Sequence, residues 1–291
     1  MSRKRLVINA DGFGFTPGIN RGITESVEKG VVSSTSCVVN FPYIEDIVVF
    51  KRNFPKISTG IHFNLSVGKP VSPPEKVKSL VDEEGEFWRE NLTKRIMMKK
   101  IKFNDMLIEL ESQVKKLMEY GVKISHFSGY QNKHLYPPFL IAAIKIARRY
   151  GITKMRSHNR YLFVRDTLCR KRSILNYYMN RPFRLFTHSM SKIITKFANF
   201  KGMKTADRLI TSAYYLDHPK KYLLDTWLRI IKILPEGTSE MVCHPGYPDD
   251  LLRKYAKYAD ERRLELDILT NEEIKNAITD KGIEIISFHE L

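Results

Sequence analysis

The strongest constraint on this chain is an alternation of short apolar runs with longer segments of helical periodicity, repeated from end to end. Arg5–Asn9 reads as a buried strand, and Thr16-Pro17 opens a helix over Gly18–Lys29 that Gly30 stops. Ser34–Asn40 is β-rich, Ile44–Asn53 helical and Ile57–Asn64 a strand. A Pro- and acid-containing loop over Pro70–Glu90 precedes Leu92–Tyr120, which predicts one or two helices ending at Gly121. Val122–Phe127 predicts a strand, Pro137–Tyr150 a helix and Ile152–Arg156 a short strand. Later come a helix over Pro219–Leu234, a strand over Thr238–Cys243, a helix over Asn271–Asp280 and a last strand over Ile283–Ser287. Strands joined by helical crossovers pair in parallel. About seven of them predict an α/β fold: an irregular, TIM-barrel-like (β/α) barrel over residues 1–291, with a basic helical insert at 157–204.

Several classes are excluded early. No apolar run approaches the roughly 18 residues that a membrane-crossing helix needs. Leu6-Val7-Ile8, after the basic start, is too short for a secretion signal. Cys37, Cys169 and Cys243 have no paired spacing and predict reduced, buried thiols in a cytoplasmic protein.

The net charge of +17 is unevenly spread. Between Thr153 and Lys204 there are thirteen Lys/Arg against one acid, Asp166, so this segment carries +12 of the total. Within it Met190, Ile193, Ile194, Phe197 and Ala198 recur at helical spacing, with Lys192 and Lys196 off that face. One expectation is a solvated basic face above a buried stripe. A second is an interfacial helix on an anionic membrane surface or a lipid-linked saccharide, placing the protein at the inner face of the membrane. Nucleic acid is a third, but no recognisable nucleic-acid module accompanies the charge.

The polar clusters fall at the C-terminal ends of predicted strands. Asn9-Ala10-Asp11-Gly12-Phe13-Gly14 ends the first, Gly60-Ile61-His62-Phe63-Asn64-Leu65 the third, and Ser125–His134 follows the fourth. Glu240–Tyr247, containing His244-Pro245-Gly246, closes a late one. Parallel α/β folds build their sites at that end, where the loops converge. Singly, His62 could be a hydrogen-bonded structural side chain and Asp11 an Asx turn. His188, His218 and His289 belong to no cluster and read as surface. Together, an acid and several histidines at one rim suit metal-assisted hydrolysis: an Asp takes a proton from water and a His protonates the leaving group.

At these motifs the chain resembles the YdjC-like carbohydrate deacetylase family, which includes chitooligosaccharide deacetylases (ChbG) and hopanoid-associated HpnK proteins. Asn9–Gly14 matches the family's N-A-D-D-F-G opening, and Gly18–Ile23 and Gly30–Ser36 match the helix and strand after it. Gly60–Leu65 with Gly68-Lys69-Pro70 matches G-x-H-x-x-L…G-x-P, and Met241–Tyr247 the late H-P motif. The resemblance implies a barrel-like hydrolase that removes acetyl from an N-acetylated sugar with a divalent metal, Mg or Zn. It places Asp11 on the general base, His62 on a metal ligand and His244 on a histidine that orients or protonates the substrate.

The chain departs from the family at two of three metal ligands. The second Asp of the opening pair is Gly12, and the metal-binding histidine of the H-x-D-x-H-x-H-x-H stretch is Tyr130. The Asp of that stretch is Ser128, the His after Tyr130 is Asn132, and the outer His126 and His134 remain. A catalytic divalent site usually needs three protein ligands. A replacement set would draw on Asp11 and His62 with His126 or His134, and Asn9, Asn64 and Tyr130 would complete a substrate site. In an extended strand each two-residue step adds about 7 Å, which sets His126 well back from residue 130. Asp11, His62 and His244 favour a deacetylase, weak or altered. Gly12 and Tyr130 favour an inactive member that binds glycan or acts as a scaffold.

Overall fold

The computed structural model describes residues 3–163, 170–212, 224–256 and 258–291. Seven strands are present among them: β1 (Lys4–Phe13), β2 (Ser34–Cys37), β3 (Ser58–Phe63), β4 (Phe127–Gly129), β5 (Arg208–Ile210), β6 (Gly237–Cys243) and β7 (Ile283–Ile285). The helices in the first half are α1 (Pro17–Glu28), α2 (Ile47–Asn53), α3 (Asn91–Met97), α4 (Phe103–Glu119) and α5 (Pro137–Arg149). Those in the second are α6 (Arg170–Met179), α7 (Pro182–Phe200), α8 (Leu224–Lys232), α9 (Asp250–Tyr255), α10 (Glu261–Leu269) and α11 (Glu272–Asp280).

Every strand pair is parallel. Six strands run in the order β4-β3-β2-β1-β6-β5, and β7 pairs with the start of β1 off that path. The sheet curls into a half-barrel, which corrects the expected barrel of seven strands. The predicted strand Ile152–Arg156 lies where closure would occur. It makes single bridges instead, Met155 to Phe127 and Lys154 to Lys204, and Arg160 bridges Leu209. One bridge per neighbour does not make a ladder, so among the described residues β4 and β5 remain edges joined through this segment.

Local chemistry explains the elements that frame the site. Thr16 caps α1, its hydroxyl accepting from Ile19 N at 3.3 Å, and Pro17 occupies the first helical position. Strand periodicity divides β1 between two environments: Leu6, Ile8 and Ala10 join the main apolar core, and Asn9 and Asp11 point the other way. Asn9 Oδ1 accepts from Ser34 Oγ at 2.7 Å, and Ser58 Oγ donates to Ser34 Oγ at 2.8 Å, so the inner layer is a hydrogen-bonded polar one.

Gly60 admits the ring of His126, since a Cβ there would lie 2.4 Å from His126 Cε1. That ring stacks on Phe288 at 3.6 Å between centroids. Cys37 and Cys243 are buried and unbridged, as expected, and Cys169 lies outside the described residues. Residues 219–223 of the predicted helix Pro219–Leu234 also lie outside them. No helix among the described residues is long and apolar enough to cross a membrane.

Candidate active site

A cavity of about 450 Å³ opens at the C-terminal ends of the strands, and Asp11, Gly12, His62, Tyr130 and His244 all line it. Register explains the convergence: Ala10 pairs with Cys243, which sets Asp11 and His244 side by side one residue later. His62 pairs with Ser128 across β3 and β4. His244 Nε2 stands 3.9 Å from Asp11 Oδ2, and His62 Nδ1 stands 4.0 Å from Asp11 Oδ1.

The dominant contact at Asp11 comes from Arg156. Nη1 donates to Asp11 Oδ2 at 2.6 Å and Nη2 to Oδ1 at 2.7 Å, a bidentate pair with both side chains almost wholly buried. Arg156 Nε donates to Glu240 Oε1 at 2.7 Å, so one guanidinium serves two carboxylates. Asn9 Nδ2 also donates to Asp11 Oδ1, at 2.8 Å.

Burial pushes the Asp11 carboxyl up, but Arg156 and then His62 outweigh it and hold the group well below the usual carboxylate range. Glu240 goes the other way, because burial and the Asp11 charge outweigh the same arginine. Burial lowers the pKa of His62 to about 4, so its imidazole is neutral at pH 7.

The residues quoted from sequence separate into two groups. Asn9, Asp11, His62, Tyr130 and His244 stand in or directly behind the cleft. Asn64, His126 and His134 do not line it. Asn64 folds the loop after β3, with Nδ2 donating to Asn40 Oδ1 and Val67 O and Oδ1 accepting from Ser66 N and Val67 N. His126 is fully buried, with Nε2 3.0 Å from Ser36 Oγ and Nδ1 2.9 Å from Ser125 Oγ. His134 Nε2 lies 2.9 Å from His158 Nε2, inside the protein. His126 has both ring nitrogens on interior partners, His134 has one on His158 and an unpartnered Nδ1, and neither lines the cavity.

The residues present do not fit a catalytic divalent cation. No group of three or more His, Cys, Asp or Glu is placed to hold one among the described residues. His62 Nδ1 lies 2.7 Å from Ser128 Oγ, and both oxygens of Asp11 face a guanidinium. Tyr130 is a neutral phenol whose pKa burial raises further. Gly12 supplies no ligand, and its φ of +109° strains any residue other than glycine.

Sequence reasoning did not single out Arg156, Glu240 or Arg262, and named Ser128 only as a substitution in the family motif. Arg156 was one basic residue among thirteen, and only its partners across 145 positions of chain reveal its role. Arg262, on α10, lines the cavity, is only 5% exposed, and its Nε and Nη1 have no hydrogen-bond partner. Glu265 on the same helix accepts from His244 N and fixes the start of that loop. Arg262 gives the cleft a buried donor set facing its interior, and Tyr130, Tyr255 and Tyr258 give it aromatic walls.

A curled parallel sheet with an acid and histidines gathered at its C-terminal rim defines a (β/α)-barrel-like protein with an enzyme-type cleft. The YdjC-like protein family model matches residues 5–280, and the chain belongs to that family. A carbohydrate deacetylase of Thermoanaerobacter pseudethanolicus is 32% identical over 285 residues, covering 98% of each chain. One from Enterococcus faecalis is 28% identical over 298 residues, covering 100% of this chain and 99% of its own. The crystal structure of a putative cellobiose-phosphate cleavage protein from Enterococcus faecalis superposes with a TM-score of 0.79 at 26% identity, covering 99% of both chains.

Proposed function

We propose that the cleft binds an N-acetylated saccharide, the ligand class implied by relatives named carbohydrate deacetylases, and holds it without metal-assisted hydrolysis. The observation that carries this reading is the closed pairing at the rim. Asp11 is bound at both oxygens by Arg156, and His62, fixed through Nδ1 by Ser128, has no set of further ligands beside it among the described residues. A carboxylate held so far below its usual range is also a weak base. The cavity keeps what sugar binding needs: aromatic walls for the ring faces and the two partnerless nitrogens of Arg262 for an acetamido carbonyl or hydroxyl.

Calorimetric titration with N,N′-diacetylchitobiose, with and without chelator, tests this reading beside an acetate-release assay. Binding that ignores the chelator, with no acetate above blank, is the expected result. Acetate release that requires added Zn²⁺ or Mg²⁺ would refute it.

A second reading is favoured by the 3.9 Å approach of His244 Nε2 to Asp11 Oδ2 at the cavity wall. In it Asp11 takes a proton from water, His244 protonates the departing amine, and the chain is a slow amide hydrolase. Acetate release lost in both Asp11→Asn and His244→Ala would select it.

A further inference from the structure

α6 and α7 pack together as a helical pair, and α7 sits on the body of the protein by an unusual face. His188, Ser191, Thr195 and Ala198 are the buried residues of α7. Thr195 Oγ1 accepts from His158 N at 3.0 Å, and Tyr178 Oη lies 3.0 Å from His188 Nδ1. The buried His188 corrects the surface reading given to it from sequence. The expected buried stripe is corrected too: Ala198 is buried, but Met190, Ile193 and Phe197 are exposed.

At about 100° per residue, Phe183, Phe186, Met190, Ile193, Phe197 and Phe200 form one continuous stripe opposite the buried set. Phe183 is 74%, Phe186 61% and Phe200 83% exposed, and Leu175 and Met179 of α6 are exposed beside them. The helix is inverted, with small polar residues inward and large apolar ones outward. Isolated exposed hydrophobics are ordinary, but a continuous stripe of aromatics is a binding surface.

Charge identifies the occupant. Between Asp166 and Asp207 the sequence contains no acid; Lys192 and Lys196 edge the stripe on one side and Lys201 on the other, and Lys171, Arg172, Arg181 and Arg184 are exposed on the same helical pair. A groove of about 280 Å³ between α5 and α7 continues the pattern, with Ile141, Ile144 and Phe197 as its floor and Lys145, Arg148 and Lys201 at its rim. Two copies of so basic a surface would repel each other, whereas an anionic partner would be attracted to it. A helix with an aromatic-aliphatic stripe flanked by Lys and Arg matches an anionic lipid interface: rings enter the acyl boundary and cations meet the headgroups.

We propose that the α6–α7 pair, with the α5–α7 groove, is a docking face for an anionic phospholipid surface. Seated this way, the 19-residue α7 lies along the interface and does not cross it. The groove takes a single lipid, its acyl chain against Phe197 and its phosphate at Lys145, Arg148 and Lys201.

Co-sedimentation of the full chain with phosphatidylcholine/phosphatidylglycerol vesicles tests this, with pure phosphatidylcholine vesicles as the neutral arm. The chain is expected to pellet with the mixed vesicles in 0.1 M salt and to leave them as salt rises, since such attraction is screened beyond about 10 Å at that concentration. Phe183→Ser with Phe186→Ser is expected to weaken binding about tenfold or more, because two inserted rings are lost. An unchanged far-UV spectrum and unchanged saccharide binding would show that the variant is folded.

Three results would overturn the proposal. The first is no pelleting with anionic vesicles at low salt, and the second is vesicle binding that ignores both substitutions. The third is a solution dimer, or binding to single-stranded nucleic acid, that uses these rings while vesicles do not bind.

Discussion

In the cleft, the guanidinium of Arg156 is buried between the carboxylates of Asp11 and Glu240. Along α6 and α7, Lys171, Arg172, Lys192 and Lys196 are exposed on a segment without a single acid. The apolar residues are reversed in the same sense. Leu6, Ile8 and Ala10 of β1 are sealed in the core, whereas Phe183, Phe186 and Phe200 of α7 face outward. Around Asp11 and in the core the first region settles its charges and its apolar surface internally, so those residues answer to stability, and Arg262 alone among the cleft residues named above keeps unpaired donors. The second settles neither internally, so its residues answer to whatever the protein meets.

The largest effect expected of this difference is on acid stability. Burial holds His62 at about 4, His134 at about 3, and His126 and His158 well below the ordinary value of 6.5. The unfolded chain therefore binds protons that the folded chain refuses. Their stabilising contribution is complete above pH 6.5 and is lost as pH falls toward 4, at about 1.4 kcal/mol per pH unit for each histidine. Glu240 and Glu109, whose carboxyls burial raises, oppose this only as they titrate above the ordinary carboxylate value. Stability measured by urea unfolding should therefore fall as pH is lowered from 6.5 toward 4, and a stability that does not change across that range would break the account of the interior.

Next in size is Arg156→Met, which leaves Asp11 and Glu240 buried without their cation. It should cost about 3–5 kcal/mol in urea unfolding, and adding Asp11→Asn with Glu240→Gln should recover part of that. Arg262→Met should weaken saccharide binding about tenfold by calorimetry while leaving urea stability intact, because it removes donors that no protein group uses. The smallest effect belongs to the other region. Phe183→Ser with Phe186→Ser should shift unfolding by less than about 0.5 kcal/mol, although the same rings dominate vesicle binding.

Much of the scaffold was legible because the chain marks it locally. Thr16-Pro17 begins α1 and Asn271 caps α11, its side chain accepting from Glu273 N, and both helices stand where the sequence puts them. β4 was displaced, expected over Val122–Phe127 and found at Phe127–Gly129. An alternating run shows that a segment can be extended, but which residues form the ladder depends on β3. β5, with its three residues Arg208–Ile210, and the charged α9 and α10 carry too little periodicity to be read.

In the site, Asp11, His62 and His244 were found because they end strands, a position that sequence encodes. Arg156 and Arg262 were not found, because a basic residue reveals its partner only in three dimensions. The same limit misled the reading of α7: spacing identifies a stripe but not the side of the helix on which the protein lies.

The placement of β1 also governs how the chain is made. β1 is made long before β6, yet one of its edges pairs with β6, residue for residue from Lys4↔Gly237 to Ala10↔Cys243. Its first three residues wait longer still, for β7. Contacts of such sequence separation make folding slow, because the intervening loop must be closed before any pairing energy is gained. Until residue 243 has left the ribosome, this buried strand keeps a bare hydrogen-bonding edge that invites pairing with other chains. Chaperone demand during expression should accordingly fall once β6 has been made, and fragments ending before residue 237 should aggregate.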